Sequence, residues 1–237
     1  MQLWLQVTGW DQFPGLVHGF SSRVRDHAFA LSLLDDTSLS VRTVKQVHGN
    51  KIVVISQPMT WNETWDGRSE ADGMITAEAG SLLSIATADC VPVLMVEPEC
   101  GLVAALHAGW RGTLAGISVR AVEILRANWG VKPGHLRVAL GPAISGCCYE
   151  VSHEVGAAFR QRWEIQSSVA WRPRGEKGWL DLRTINRIQC ERAGIPPVQI
   201  QVVGPCTFCA GTRFASYRRE GPGTDRQLNV IGWRNAR

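Results

Sequence analysis

Three separated segments each carry a residue able to bind a metal or act as a nucleophile. Lys45-Gln46-Val47-His48-Gly49-Asn50 ends an alternating, strand-like stretch with a histidine at a turn. Thr87-Ala88-Asp89-Cys90-Val91-Pro92-Val93 interrupts an apolar run with an acid and a thiol. Leu106-His107-Ala108-Gly109-Trp110-Arg111-Gly112-Thr113 puts a histidine at a strand end, ahead of a glycine-rich turn and a helix start. One Cys with two His is a complete ligand set for a catalytic zinc, with a fourth position left for water or substrate. The separations, 42 residues from His48 to Cys90 and 17 from Cys90 to His107, match no compact structural zinc motif. A distributed set of this kind points to catalysis, and His48, Cys90 and His107 are assigned as both metal ligands and catalytic residues.

Each of these residues also has an ordinary reading. His48 serves as a turn residue, Cys90 as a small buried hydrophobe, and His107 as a hydrogen-bonded strand end. Asp89 is costly inside an apolar run unless it is paired or faces a site. Arg111 offers a planar fork suited to phosphate or carboxylate. The neighbouring glycines allow close backbone approach, and the helix start offers free N–H groups. Cys206-Thr207-Phe208-Cys209 is a CxxC with no second CxxC to complete a four-cysteine site. Packing is its simplest reading, with a redox pair or a metal site as alternatives, and Cys147-Cys148 joins it only if the fold brings the two close. Tyr217, one of two tyrosines, sits among arginines and aromatics at 213–219. It could stack on a base, or the stretch could be an amphipathic edge strand.

The elements that must position these residues follow from pattern. Strands are predicted over 41–47, 51–56, 82–86, 91–96, 102–106, 136–140 and 199–203, from alternation or short apolar runs. After Thr113, apolar residues at Leu114, Ile117, Ala121, Ile124 and Leu125 predict a helix that Gly130 and Pro133 stop. A second helix runs from Ser152 with Val155, Ala158, Phe159 and Trp163 on one face. Asp181 caps a third, with Leu182, Ile185 and Ile188 inward and Gly194 then Pro196 closing it. The segments 57–70 and 172–178 read as loops. Strands and helices mix without a strict βαβ rhythm, which predicts an α+β fold. With no repeat and no linker, residues 1–237 read as one domain.

Composition bounds the rest. Of the 237 residues, 45% are hydrophobic and 19% charged, which argues for a packed core and against disorder. The net charge of +4 is dispersed, and no basic run interleaves with aromatics, so nucleic-acid binding is not expected. A phosphate-bearing small substrate needs only a few local arginines. No stretch reaches the roughly 20 apolar residues of a membrane span, and the N-terminus has no secretory pattern. A soluble, cytoplasmic protein is expected. Seven cysteines, an odd number, argue against a disulfide framework and for reduced thiols.

The ordered motifs HGFSSR at 18–23, KQVHGN at 45–50, ADGMIT at 71–76, TADCVPV at 87–93 and LHAGWRGT at 106–113 resemble a known family. LGPAISGCCYEV at 140–151, LDLRTINRIQ at 180–189, CTFC at 206–209 and FASYRREG at 214–221 extend the likeness to nearly the whole chain. The family is the bacterial laccase-domain or polyphenol-oxidase group, later described as multifunctional purine nucleoside phosphorylases, some of them named peptidoglycan editing factors. The resemblance implies one α+β domain of packed mixed sheets flanked by helices, in αββα-type layers similar to the catalytic fold of cytotoxic necrotizing factor toxins. It implies a zinc-type site at His48, Cys90 and His107, and phosphorolysis of adenosine, inosine or methylthioadenosine with phosphate as co-substrate. Adenosine deamination in the same pocket is implied as well. Arg23, Asp72, Arg111 and Tyr217 then become the expected substrate contacts.

The segment 24–42 is shorter than the family's counterpart and lacks its Asn-Leu-Gly, Val-Gly-Asp-Asp and Asn-Arg stretches; Leu33-Leu34-Asp35-Asp36 is the nearest remnant. Two other chemistries compete. A copper-dependent phenol oxidase needs a weak axial ligand, for which only Met95 is near in sequence, and a second histidine cluster. The remaining histidines, His18, His27, His135 and His153, are scattered. A Cys–His hydrolase or amidase acting on peptidoglycan precursors would use Cys90 activated by His107.

Overall fold

A computed structural model describes residues 3–24, 39–56, 66–165 and 169–235. The two longest apolar runs become adjacent central strands. β8 (Val91–Glu97) and β9 (Leu102–Ala108) are buried at every position and pair antiparallel, with Pro92 opposite His107. Because side chains alternate across a strand, Val91, Val93 and Met95 share a face with Ala104, Leu106 and Ala108. Leu94 and Val96 share the other with Val103 and Ala105. Strands apolar on both faces need a cover on each side.

One cover is a second sheet. The first sheet adds β10 (Arg137–Leu140) and β14 (Ile200–Val202) on one flank, and β6 (Gly73–Thr76) and β4 (Ile52–Ile55) on the other. Its order is β14-β10-β8-β9-β6-β4, with parallel pairs at both edges. The facing sheet contains β1 (Trp4–Leu5), β2 (Leu16–Ser21), β15 (Gln227–Trp233), β7 (Ser81–Thr87), β3 (Ser40–Lys45) and β5 (Asp66–Glu70), in that order. β3 runs parallel to both its neighbours, and the remaining pairs are antiparallel. Phe20, Leu83, Ile85 and Ile231 of this sheet close on Met74, Leu94, Val103 and Ala139 of the first.

Helices make the other cover. α1 (Trp110–Leu114) and α2 (Ile117–Trp129) follow β9, and α4 (Leu182–Arg192) lies beside α2. Ile117, Ala121, Leu125, Leu182 and Ile185 pack against Met95, Ala104 and Leu106. α3 (His153–Trp163) packs on a small third sheet of β11 (Glu150–Ser152), β13 (Lys177–Leu180) and β12 (Trp171–Arg174). The architecture is a mixed α+β layered fold, as expected from the sequence.

Several details differ from the sequence reading. The helix expected over 114–125 is two helices, because Gly116 takes a left-handed φ of 80° where any Cβ would meet the Trp163 ring at 2.9 Å. The predicted loop 172–178 is the β12–β13 hairpin. Residues 66–70 of the predicted loop 57–70 form β5, while 57–65 lie outside the described residues, as do Leu33-Leu34-Asp35-Asp36. Of the two readings of 213–219, the edge strand does not form: the stretch leads into α5 (Tyr217–Glu220), whose start is capped by the Ser216 hydroxyl accepting from the Arg219 N–H. Ile188 is only half-buried; Asn186 and Gln189 fill the inward stripe instead, bonded to Ser118 and Thr113. Among the described residues no helix is long and apolar enough to cross a membrane.

Candidate metal centre

The β8–β9 register brings two of the three residues together. Pro92 opposite His107 and Val91 opposite Ala108 continue to Cys90 opposite Gly109. A Cβ on Gly109 would stand 3.1 Å from the Cys90 sulfur and 3.2 Å from His48 Cδ2, so any side chain there would press on two of the three residues. His48 arrives from the turn after β3 with a left-handed φ of 61°. The Asp72 carboxylate holds that turn, accepting from the His48 N–H at 2.8 Å and the Gly49 N–H at 2.6 Å. From the other side, a Cβ on Gly112 would lie 2.5 Å from the Gly49 carbonyl oxygen.

Asp89, beside the cysteine, is the mirror case. It too has a left-handed φ, 82°, and its buried carboxylate accepts from Thr207 Oγ1 at 2.6 Å, Ser216 Oγ at 3.1 Å and the Arg218 N–H at 2.7 Å. Non-glycine residues in this region cost about 1–3 kcal/mol and persist only where surroundings over-determine them. Here a buried carboxylate secures each: Asp72 the turn at His48, and Asp89 its own.

The ligand atoms of His48, Cys90 and His107 all lie within 4.8 Å of one another. The two imidazole rings meet edge to face, 4.8 Å between centroids and 80° between planes. Asp72 Oδ1 lies 2.8 Å from His107 Nδ1, which fixes the ring and leaves Nε2 for the site. Burial would push the Cys90 thiol up, but His107 and His48 outweigh it and bring the thiol down to about 6. Burial would likewise lower His107, yet the Cys90 charge and the Asp72 bond raise it to about 9. Asp72 is itself held below the usual carboxylate range: burial opposes ionisation, but His107 and the Gly49 and His48 amides overcome it. Without an ion the pair is therefore a thiolate beside an imidazolium held by a carboxylate; a metal would take the thiolate and displace the proton on His107 Nε2. This donor set suits zinc, with one coordination position not filled by protein.

Above the three residues lies a cavity of about 640 Å³. Trp110, Tyr149 and Tyr217 give it aromatic walls, and Arg111, Arg218 and Arg226 give it positive charge. Arg111 stacks over the Trp110 ring at 4.5 Å. Burial and the Cys90 charge push the Tyr149 phenol up to about 12, so it stays a neutral donor. Of the expected substrate contacts, Arg111 and Tyr217 line the cavity. Asp72 is fully buried behind His48 and His107 and bonds to protein instead. Arg23 is absent from the lining; its guanidinium bridges Glu220 and Asp225. Sequence reasoning passed over Gln46, Tyr149, Arg218 and Arg226. Gln46 carried a local signal in KQVHGN: its amide both donates to the Ala86 carbonyl and accepts from the Ala86 N–H, each at 2.8 Å.

Comparison with known proteins gives a consistent set of relatives. Over 194 residues the chain is 39% identical to a protein named purine nucleoside phosphorylase YlmD from Geobacillus stearothermophilus, covering 80% of this chain and 71% of that one. It is 31% identical over 240 residues to adenosine deaminase RL5 from an unknown prokaryotic organism, covering 95% and 90% respectively. The crystal structure of YlmD from Geobacillus stearothermophilus superposes with a TM-score of 0.87 at 30% identity, over 98% of this chain and 99% of that one. A profile described as multi-copper polyphenol oxidoreductase laccase matches residues 23–234. The chain belongs to the multi-copper polyphenol oxidoreductase laccase family.

Proposed function

We propose that the chain is a zinc-dependent purine nucleoside phosphorylase acting on adenosine, inosine or methylthioadenosine with inorganic phosphate, and that the same pocket deaminates adenosine. The observation that carries the reading is one cavity holding the His48–Cys90–His107 set under aromatic and arginine walls. Relatives at 31–39% identity carry the names of both activities.

His48, Cys90 and His107 would hold the ion. A bound zinc supplies a water of pKa about 7 and an electrophile for an oxygen beside it. Asp72 keeps His107 in the tautomer whose Nε2 faces the site. Phosphorolysis joins a phosphate oxygen to the sugar carbon as the purine leaves, so it is chiefly a task of positioning and charge stabilisation. Arg111, Arg218 and Arg226 provide the positive field for phosphate, and Trp110 and Tyr217 provide faces for the purine. Tyr149 offers its O–H to a ribose or base acceptor. Arg23 is left out of the phosphate contacts; it anchors the segment that carries Tyr217. The nucleoside and phosphate are the partners, and the cytoplasm is the expected compartment.

The test is product analysis with adenosine, inosine and methylthioadenosine, with and without phosphate. Phosphate-dependent release of adenine and ribose-1-phosphate is expected, with inosine formed from adenosine whether or not phosphate is present. No conversion of any of the three by zinc-replete protein would sink the reading. A Cys–His hydrolase is the second reading, favoured by the charge separation between Cys90 and His107; it would keep its activity under chelation. A copper oxidase fits less well. Met95 is fully buried, and it packs with the helix-side core, away from the cavity. Among the described residues no second group of histidines gathers.

A further inference from the structure

The fold unites two cysteine pairs that lie far apart in sequence. We propose that Cys147, Cys148, Cys206 and Cys209 form a second metal centre, binding one zinc ion through four thiolates in a closed, structural site. The four sulfurs all lie within 4.8 Å of one another. Cys209 Sγ is 3.2 Å from Cys148 Sγ and 3.7 Å from Cys147 Sγ. A tetrahedral zinc with bonds of about 2.3 Å sets its sulfurs about 3.8 Å apart, inside this range. A disulfide would bring two of them to about 2.05 Å, and all four cysteines are free.

The backbone is arranged for this geometry. The chain turns tightly through Cys206–Cys209, the Ala210 N–H donating to the Cys206 carbonyl at 3.0 Å. The Ser145 N–H donates to Cys206 Sγ at 3.4 Å, and the Phe208 and Cys209 amides face the same sulfur. Amides directed at sulfur stabilise and orient a ligating thiolate. The two loops are also joined through backbone alone: Ala143 forms a β-bridge with Cys206, and the Thr207 N–H donates to the Ala143 carbonyl at 3.1 Å.

Charge agrees. Four thiolates around a dication leave a net charge of minus two, which nearby cations must balance. Arg172 donates to the Gly146 carbonyl, and Arg183 donates to Ser145 Oγ and the Gly204 carbonyl. Arg219 donates to the Thr207 and Phe208 carbonyls, at 3.0 Å each. The guanidiniums thus border both cysteine loops. An all-sulfur set selects zinc among abundant divalent ions, and four protein ligands leave no coordination position for substrate.

The placement gives the centre a task. Cys148 directly precedes Tyr149 of the cavity wall, and Thr207, between Cys206 and Cys209, bonds Asp89 beside Cys90. Zinc here would lock two walls of the pocket to one another.

The experiment is zinc content by mass spectrometry on protein purified with reductant, together with zinc-edge X-ray absorption on Cys90→Ala. Two zinc ions per wild-type chain are expected, one in Cys90→Ala, and one in Cys147→Ser/Cys209→Ser. The ion retained by Cys90→Ala should show four sulfur neighbours at about 2.3 Å. Zinc-free Cys90→Ala, a shell containing nitrogen or oxygen, or an intact mass two hydrogens light from a disulfide would each overturn the proposal. Should the double variant fail to fold, the Cys90→Ala spectrum decides alone.

Discussion

Asp72 is the residue on which the first centre turns. It is fully buried, yet both its oxygens are used, by the His48 and Gly49 amides and by His107. Asn in its place keeps the volume but turns one acceptor into a donor facing an N–H. With its oxygen at Oδ1, shared by His107 Nδ1 and the His48 N–H, the amide NH2 faces the Gly49 N–H and leaves it unpaired, at about 1–3 kcal/mol, and the negative charge behind His107 is lost. Asp72→Asn should bind zinc at the first centre about 10- to 100-fold more weakly, the usual effect of losing a carboxylate behind a ligating histidine. A competition titration with a chromophoric chelator would read this directly, and a change under twofold would show that Asp72 serves only the turn. Cys90→Ala should lose that ion altogether while the secondary structure stays intact by circular dichroism.

At the scale of elements, the strands and turns that carry the ligands are held by close backbone approaches. The tightest near the site is between α1 and the His48 turn. Gly112→Ala would set a methyl 2.5 Å from the Gly49 oxygen, and both partners are backbone, so one must move. The expected cost is about 1–3 kcal/mol, a fall of about 2–12 °C in Tm for a chain of this size, with weaker zinc binding because His48 moves with its turn. A Tm within a degree of wild type would show that the turn yields freely. The same scale explains what was legible beforehand. β8 and β9 announce themselves as apolar runs, and the glycines of 106–113 mark the turn where His107 and Cys90 meet. β2 and β15 do not, because Leu16–Ser21 contains His18 and Gln227–Trp233 contains Asn229. Both polar side chains are buried and bonded across the sheet or to its neighbouring loop: His18 accepts from the Val7 N–H, and the Asn229 amide nitrogen donates to the Ile85 carbonyl. Such long-range pairing leaves no local pattern. Arg218 and Arg226 are invisible for a related reason: their place in the cavity depends on α5 and the strand after it folding back over Cys90.

At the scale of the molecule, that fold-back is what closes the pocket. Segment 214–226 carries Tyr217, Arg218 and Arg226 to the cavity, and Glu220 ties it down. The Glu220 carboxylate pairs with Arg23 from the end of β2, with Arg219 at 2.6 Å, and with Thr224 Oγ1 at 2.8 Å. Burial alone would raise the carboxyl, but Thr224, Arg219 and Arg23 together bring it down to about 2. A pKa depressed on folding contributes stability above the unfolded value, about 4.3, and that contribution is lost as pH falls toward 2. The side chain is 25% exposed, so solvent screens the pair and the gain is modest, about 0.5–1 kcal/mol. Glu220→Gln should therefore melt about 1–4 °C below wild type at pH 7, with the gap closing between pH 4.5 and pH 2. Because the segment also carries the arginines proposed for phosphate, the same variant should raise the phosphate KM while nucleoside binding changes less. Melting curves taken across that pH range check the first part, and a gap that stays constant down to pH 2 would mean the carboxylate's charge plays no part in holding the pocket shut.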